Sequence, residues 1–537
     1  MNSKVILLFG PPGTGKSTTL ADSARKAVSL KQDRNCMILC SLTNTAAKEL
    51  ARRDVSVNPQ QIGTMHALCY RALDRPELVY KDEHIEAWNR LYPGYRLPLA
   101  QGSRFAPEHD RATEQQASAG PGEEAQQQAD LARHQMRPFD GWPLRAQSFY
   151  PKWKAFKEER GVMDFTDLIE AGLSMEAPPF GVKLGILDEA QDSSALEWAV
   201  WHHWTSMMDY SMAAGDDQQV LYQWRGADPK SLVNMDPTPQ EIRVLPHSYR
   251  LPIKVHRYVE RWGEQIRVRY PKQYTPKDEE GRIIQHGATL QHPAYLTDIL
   301  DNSLANGKTV MILASCQYML THTIHFLREH GYPFGNAWRP TNGLWNPLAR
   351  KKKQVHTADR VAAYLAPQHE GTLTWTATQI KRWAPLVDAN HVFVRGSKAA
   401  IAALDEGETP LPFSQLAAWF HPEAMDGVLS GSPSWLMQHC VGNVHKQLAY
   451  PVAIAQKRPE ALTEPPPITV GTIHSLKGSQ ADVVIIYPDL SPSGYTEWSG
   501  NGRDSVLRQF YVALSRASDT LVLARPTSSR AVQWVAP

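Results

Sequence analysis

Residues 5–9, Val-Ile-Leu-Leu-Phe, form an unbroken apolar run that ends in GPPGTGKS, residues 10–17. That segment fits G-x-x-x-x-G-K-[ST] between a strand signal and a helix signal, and it constrains the fold more than any other feature. Glycines let the backbone curl until successive N–H groups point at one place, at a helix N-terminus that already favours anions. A plain Gly/Pro turn is the alternative, and the strand context favours phosphate binding. Gly10, Pro11, Pro12, Gly13, Thr14, Gly15, Lys16, Ser17 and Thr18 are therefore the candidate nucleotide cradle. Lys16 is expected on the β- and γ-phosphates and Ser17 on Mg²⁺. Such a loop belongs to an α/β fold, a parallel sheet with helices on its faces.

A second strand signal, Lys183–Leu187, runs into Asp188-Glu189-Ala190-Gln191-Asp192. An aspartate closing a buried strand is suited to hold Mg²⁺, and the next carboxylate to orient or deprotonate an attacking water. Acidic residues after a strand mostly just begin loops. Paired with the glycine-rich loop, Asp188 and Glu189 read as a hydrolysis site for ATP with Mg²⁺.

At 537 residues the chain exceeds what one hydrophobic core supports. Strand and helix signals alternate to about residue 66, lapse, and resume from 183 to 245. Within the lapse, 101–136 is rich in Gln, Ala, Glu and Gly and reads as a mobile insert. A second α/β unit starts at Thr309 and is interrupted by 336–464, which holds six of the sixteen tryptophans and the basic run 350–353. A proline run, 465–467, leads out of it to strand signals near 468–470, 483–487 and 520–524. The expected division is one core from 1–66 and 180–250 with insertion 67–179, and a second from 251–335 and 465–537 with insertion 336–464.

A net charge of +2 means that any nucleic acid must be held by a local basic groove, not by a basic chain, which argues against a passive coating protein. Five cysteines without a CxxC pair argue against a disulfide framework or zinc ribbon and suit a reducing compartment. No apolar stretch reaches membrane-spanning length, so the cytoplasm is expected, with no membrane partner. Trp201-His202-His203-Trp204 reads as an ordinary helix face, since adjacent histidines point apart. The basic run 350–353 reads as a solvated face.

Seven further segments occur in a fixed order: LTNTAAKEL (42–50), GTMHALC (63–69), MDFTDLI (163–169), GDDQQVLYQWRGA (215–227), LPHSYR (245–250), VGTIHSLKGSQADVVII (470–486) and QFYVALSRASDTLVL (509–523). As a set they resemble the motifs of UvrD/Rep-type superfamily 1A helicases, over both α/β units. The resemblance implies two RecA-like cores, with insertions of 1B and 2B type, that close on ATP. Gln219, Arg250 and Arg516 would approach the γ-phosphate. Trp224 would stack on a base of single-stranded DNA, beside Tyr222 and Arg225 in one exposed turn. Isolated tryptophans are more often core, and the motif shifts that reading. Thr43, Asn44, Thr64, His66, Thr472 and His474 would meet the nucleic acid, although hydroxyl and amide groups at strand ends also cap turns.

Two departures stand out. Gln480 occupies the place of a ribose-contacting glutamate, and the chain begins nine residues before Gly10, where the family carries an adenine-reading segment. Weak discrimination between ATP and GTP is the expectation. The resemblance implies 3′-to-5′ translocation and duplex unwinding by a monomer or weak dimer acting on single-stranded DNA and duplex junctions. An RNA-directed superfamily 1 helicase, or a nucleic-acid-stimulated ATPase switch without processive unwinding, are the alternatives.

Overall fold

The computed structural model describes residues 4–42, 52–53, 55–99, 120–235, 239–336, 343–350 and 355–536. Six parallel strands form the first sheet: β1 (Lys4–Phe9), β2 (Met37–Ser41), β3 (Ile62–Thr64), β4 (Leu184–Asp188), β5 (Tyr210–Gly215) and β6 (Glu241–Val244), in the order β3-β2-β4-β5-β1-β6. The apolar run of β1 is continuous because both sheet faces are covered. Val5, Leu7 and Phe9 pack with Trp201 and Trp204 of helix Ala195–Ser206, whereas Ile6 and Leu8 pack with Leu20 and Ala24 of helix Lys16–Lys31. The His202/His203 segment is a helix face, as its spacing suggests. His202 stacks on Trp198, and His203 lies 2.8 Å from the Met175 carbonyl.

Between β3 and β4 the chain forms a helical insertion. Residues 100–119 lie outside the described residues. The rest of the stretch expected to be mobile is ordered: Pro121–His134 is a helix with Ala125, Ala129, Ala132, Arg133 and His134 buried. A stripe of alanines lets this helix approach Phe149, Trp153 and Phe156 of helix Leu144–Arg160 closely. Arg133 is neutralised by Asp164, Asp167 and Glu170 at 3.0, 2.6 and 2.7 Å. Alanines that read as polar-rich composition in the sequence are spaced to one helix face, and that face is buried.

A short parallel pair, β7 (His247–Pro252) and β8 (Thr275–Lys277), follows the first sheet. The second sheet contains β9 (Arg282–His286), β10 (Val310–Ala314), β11 (Phe334–Gly335), β12 (Ile468–Thr472), β13 (Ala481–Ile486) and β14 (Ala517–Ala524), all parallel, in the order β11-β12-β10-β13-β14-β9. Its interruption lies between β11 and β12, where helices such as Thr357–Glu370, Ala377–Trp383 and His445–Ala455 form the inserted unit. Trp345, Trp375, Trp383 and Tyr364 are buried in the same cluster as Val310, Ile312, Ile468 and Val470 of the sheet. The tryptophan enrichment thus has a packing cause, since aromatic rings of this size dominate core burial. Of the basic run, 351–353 lie outside the described residues, and Arg350 pairs with Asp359 at 2.8 Å. No helix among the described residues is long and apolar enough to cross a membrane.

Candidate active site and nucleic-acid face

The glycine-rich loop leaves β1 and turns into helix Lys16–Lys31. Gly13 and Gly15 both hold positive φ, +74° and +78°, which glycine alone adopts without strain. A Cβ on Gly13 would come within 2.4 Å of the Arg250 Cβ, so the loop lies directly under β7. Ser248 Oγ donates to the Pro12 carbonyl at 2.7 Å, and the Tyr249 N–H donates to the Gly13 carbonyl at 2.9 Å. Thr14 Oγ1 donates back to the Pro11 carbonyl at 2.8 Å, closing the turn. Ser17 is half-buried in the first turn of the helix, and the exposed Thr18 accepts from Arg53 Nη1 at 2.8 Å.

Lys16 crosses to the end of β4. Its Nζ lies 2.7 Å from Glu189 Oε1 and 3.4 Å from Asp188 Oδ1. Burial alone would lower the lysine, but the two carboxylates outweigh it and hold Lys16 above the ordinary lysine range. Burial and the adjacent Glu189 raise Asp188 despite the pull of Lys16. Glu189 is held well below the carboxylate range, because Lys16 and Lys477 outweigh its burial. Glu189 also sits at φ +55°, a left-handed position that a non-glycine residue occupies at a cost of about 1–3 kcal/mol. Gln191 completes this corner: its Nε2 donates to Glu189 Oε2 at 2.5 Å and its Oε1 accepts from the Asp216 N–H at 3.1 Å.

The second core reaches the same corner. Arg516, buried at the start of β14, donates from Nη2 to Gln219 Oε1 at 2.8 Å, while Gln219 Nε2 donates to Asp216 Oδ2 at 2.7 Å. Burial, and next the nearby Arg250 guanidinium, push Arg516 down to about 9. Two guanidinium groups converging, that of Arg516 buried and that of Arg250 half-buried, suit an anion between them. Arg250 donates from Nε to Oε1 of the exposed Gln480 at 2.8 Å and from Nη1 to the Ser515 carbonyl at 3.2 Å. Gln480 is thus engaged with Arg250 in this structure.

Sequence reasoning missed three cations here. Lys477 bonds Asp192, lies 3.6 Å from Glu189 Oε2, and donates to the Gln219 carbonyl at 3.0 Å. Lys272 is buried between Asp216 and Asp217, and Arg508 is buried with its Nε on the Asp217 carbonyl at 3.1 Å. The signal was present. Asp188, Glu189 and Asp192 close together, and Asp216 beside Asp217, are more buried negative charge than Lys16 can balance.

The proposed nucleic-acid residues divide. Trp224 stands 43% exposed on the short helical turn Gln223–Arg225, so it is not a core tryptophan. Tyr222, expected to be exposed beside it, is only 4% exposed and has Lys477 Nζ 5.4 Å from its ring centroid. Arg225 faces inward onto buried Glu197 at 3.4 Å. Thr472 is buried, its Oγ1 accepting from the Ser475 N–H at 3.2 Å. Thr64 Oγ1 accepts from the Ala67 N–H at 3.2 Å as the cap of helix Met65–Ala72. A hydroxyl at a strand end meets the otherwise unsatisfied N–H groups of the following turn, and that use prevails at both threonines. His66 lies 4.0 Å from Glu197, and the half-buried His474 is 3.4 Å from Gln509 Nε2. Thr43 and Asn44 lie outside the described residues.

Residues 1–240 match the UvrD/REP helicase N-terminal domain. No curated protein gives a significant match to the chain. The match spans strands β1 to β5 of the first sheet, the glycine-rich loop, the β4 carboxylates and the Trp224 turn. The family is one of ATP-dependent nucleic-acid motors that use nucleotide and a divalent metal.

Proposed function

We propose, from the match of residues 1–240 to the UvrD/REP helicase N-terminal domain, a motor that hydrolyses ATP to move 3′-to-5′ along single-stranded DNA and unwind the duplex ahead of it. The observation that carries the reading is the convergence of Lys16, Asp188, Glu189 and Gln219 from the first core with Lys477 and Arg516 from the second on one buried corner. Hydrolysis there is coupled to the relation between the cores, because neither core holds the full charge set.

The residues fit a nucleoside triphosphate with Mg²⁺. A Cβ would fill the loop at Gly10 and Gly13, and Lys16 now rests on the two carboxylates that a divalent metal would relieve it of. Ser17 and Asp188 would hold the metal, which when bound shields the charge between phosphate oxygens. Lys16 would then turn from the carboxylates onto the phosphates. Glu189, released from Lys16, would orient the attacking water and take its proton. Gln219, held between Asp216 and Arg516, fixes the distance between the cores, and Arg250 and Arg516 meet the developing charge on the γ-phosphate.

Outside the corner, Tyr222 lies under Lys477, and Trp224, two residues on, is exposed, which supports Trp224 as a base-stacking group. Single-stranded DNA and duplex junctions are the proposed partners of a monomeric or weakly dimeric protein. The test is the ATPase rate with single-stranded DNA, single-stranded RNA or neither, with unwinding of 3′- and 5′-tailed duplexes beside it. Stimulation by single-stranded DNA above RNA and unwinding from the 3′ tail are expected. Stimulation by RNA alone would reassign the substrate, and DNA-stimulated hydrolysis without unwinding of either duplex would reduce the protein to a switch. Glu189→Gln is the control, keeping ATP binding while losing turnover.

A further inference from the structure

Behind the exposed Trp224 lies a buried carboxylate with too many partners for a helix cap. Glu197 opens helix Ala195–Ser206: its Oε2 accepts from the Ser194 N–H at 2.8 Å, and its own N–H donates to Ser194 Oγ at 3.2 Å. That reciprocal pair is a capping box and needs one carboxylate oxygen. The other oxygen, Oε1, lies 3.4 Å from Arg225 Nη2 and 4.0 Å from His66 Nδ1. Ser194 Oγ in turn is 3.0 Å from Nδ1 of His134, the last residue of insertion helix Pro121–His134.

Backbone contacts fix the same place. Ser194 bridges to Ala227, and a Cβ on Gly226, at φ +101°, would lie 3.3 Å from the His134 Cβ and 3.5 Å from the Ser194 Cβ. The Trp224 turn is therefore packed between the end of the insertion helix and the start of the helix that follows the β4 carboxylates. Arg225, His134 and His66 outweigh burial and hold Glu197 down to about 2, so the carboxylate is charged at any physiological pH.

We infer that Glu197 is the positioning residue of the nucleic-acid face: it anchors Arg225 and His66 together, so that Trp224 is presented at a fixed height above helix Ala195–Ser206. The inference rests on the reading of Trp224 as the base-stacking group. Glu197 makes no contact with nucleic acid itself. It acts by removing alternative positions of the turn, so the cost of ordering Trp224 is met before a base arrives.

Glu197→Gln separates this role from the helix cap, because the amide oxygen still accepts from Ser194 while the charge facing Arg225 is gone. The measurement is the single-stranded DNA concentration that half-saturates ATPase stimulation, in the parent, E197Q, W224A and the double variant. E197Q alone should raise it about tenfold, as for loss of a charged hydrogen bond, and by less than about twofold once Trp224 is alanine, since coupled residues fail to add. An equal rise in both backgrounds overturns the inference, as does an unchanged value for E197Q. If W224A itself leaves DNA dependence untouched, the stacking reading falls, and the positioning role with it. Should E197Q melt well below the parent, Arg225→Gln breaks the same ion pair from the turn side and is read by the same cycle.

Discussion

The candidate ATP corner and the candidate nucleic-acid face are built by opposite rules. In the corner, the lysines are held against carboxylates: Lys16 on Asp188 and Glu189, Lys477 on Asp192, Lys272 on Asp216 and Asp217. On the face, a single aromatic is exposed and the charge lies behind it, in Glu197 and Arg225. Phosphate chemistry needs particular charges at particular distances, so the corner is defined by residue type. Base stacking needs only a flat apolar surface that water can reach, so the face is defined by exposure.

The largest difference between the two should come from Arg516. It is buried, it belongs to the second core, and among the described residues it alone of that core bonds the Gln219 side chain. Arg516→Ala should lower DNA-stimulated turnover by about 10³–10⁵-fold, the range for an arginine that stabilises phosphoryl transfer. ATP binding by Lys16 and the loop should change far less, so the loss would appear in kcat. A loss confined to KM would make Arg516 a binding group and separate closure from catalysis. The second effect is smaller. Trp224→Ala should weaken the DNA-dependent step by about 1–3 kcal/mol, one base stack, with an unchanged melting temperature because the ring is exposed. A parent-like half-saturating DNA concentration would show that the face works without it.

The same contrast explains what could be read without coordinates. The glycine-rich loop and the β4 carboxylates were legible because spacing and residue type carry their chemistry, whereas Gln219, Arg250 and Arg516 stood out only through the resemblance of their segments to helicase motifs. Both sheets were legible for a related reason: strands buried on two faces leave continuous apolar runs such as Val5–Phe9 and Val310–Ala314. Burial of individual polar groups was not legible. Thr64 and Thr472 bear hydroxyls suited to a phosphate, and only their local turns show those oxygens accepting backbone N–H groups. Tyr222 and Trp224 are two residues apart in one motif, yet one is covered and the other is not. The helix Pro121–His134 escaped notice because alanine carries a weak hydrophobic signal, although its spacing marks a face. Lys477 and Lys272 answer to carboxylates far away in sequence, and only the fold supplies that distance.

The smallest effect concerns the support behind the face, and it is one of stability rather than rate. Burial holds the His134 imidazole down to about 4, below its ordinary 6.5. It is hydrogen-bonded to Ser194 and faced by Glu197, Arg225, His66 and Arg133, and the positive neighbours reinforce the neutral form while Glu197 opposes it. The unfolded chain therefore takes up a proton as pH falls below 6.5, whereas the folded chain resists until about 4. Stability is lost across that window and is flat on either side of it. At pH 5 the loss from this one group is on the order of 2 kcal/mol. His134→Gln retains a polar group near Ser194 and removes the titration. The melting temperature of the transition containing the first core should fall between pH 7 and pH 5 more steeply in the parent than in H134Q, with the two profiles parallel above pH 7. Parallel profiles throughout would mean that His134 takes up its proton beside Glu197 as readily in the fold as in the unfolded chain. The junction between the insertion helix and the Trp224 turn would then be held by charge, as the ATP corner is, and the distinction between the two regions would vanish at the place where they are joined.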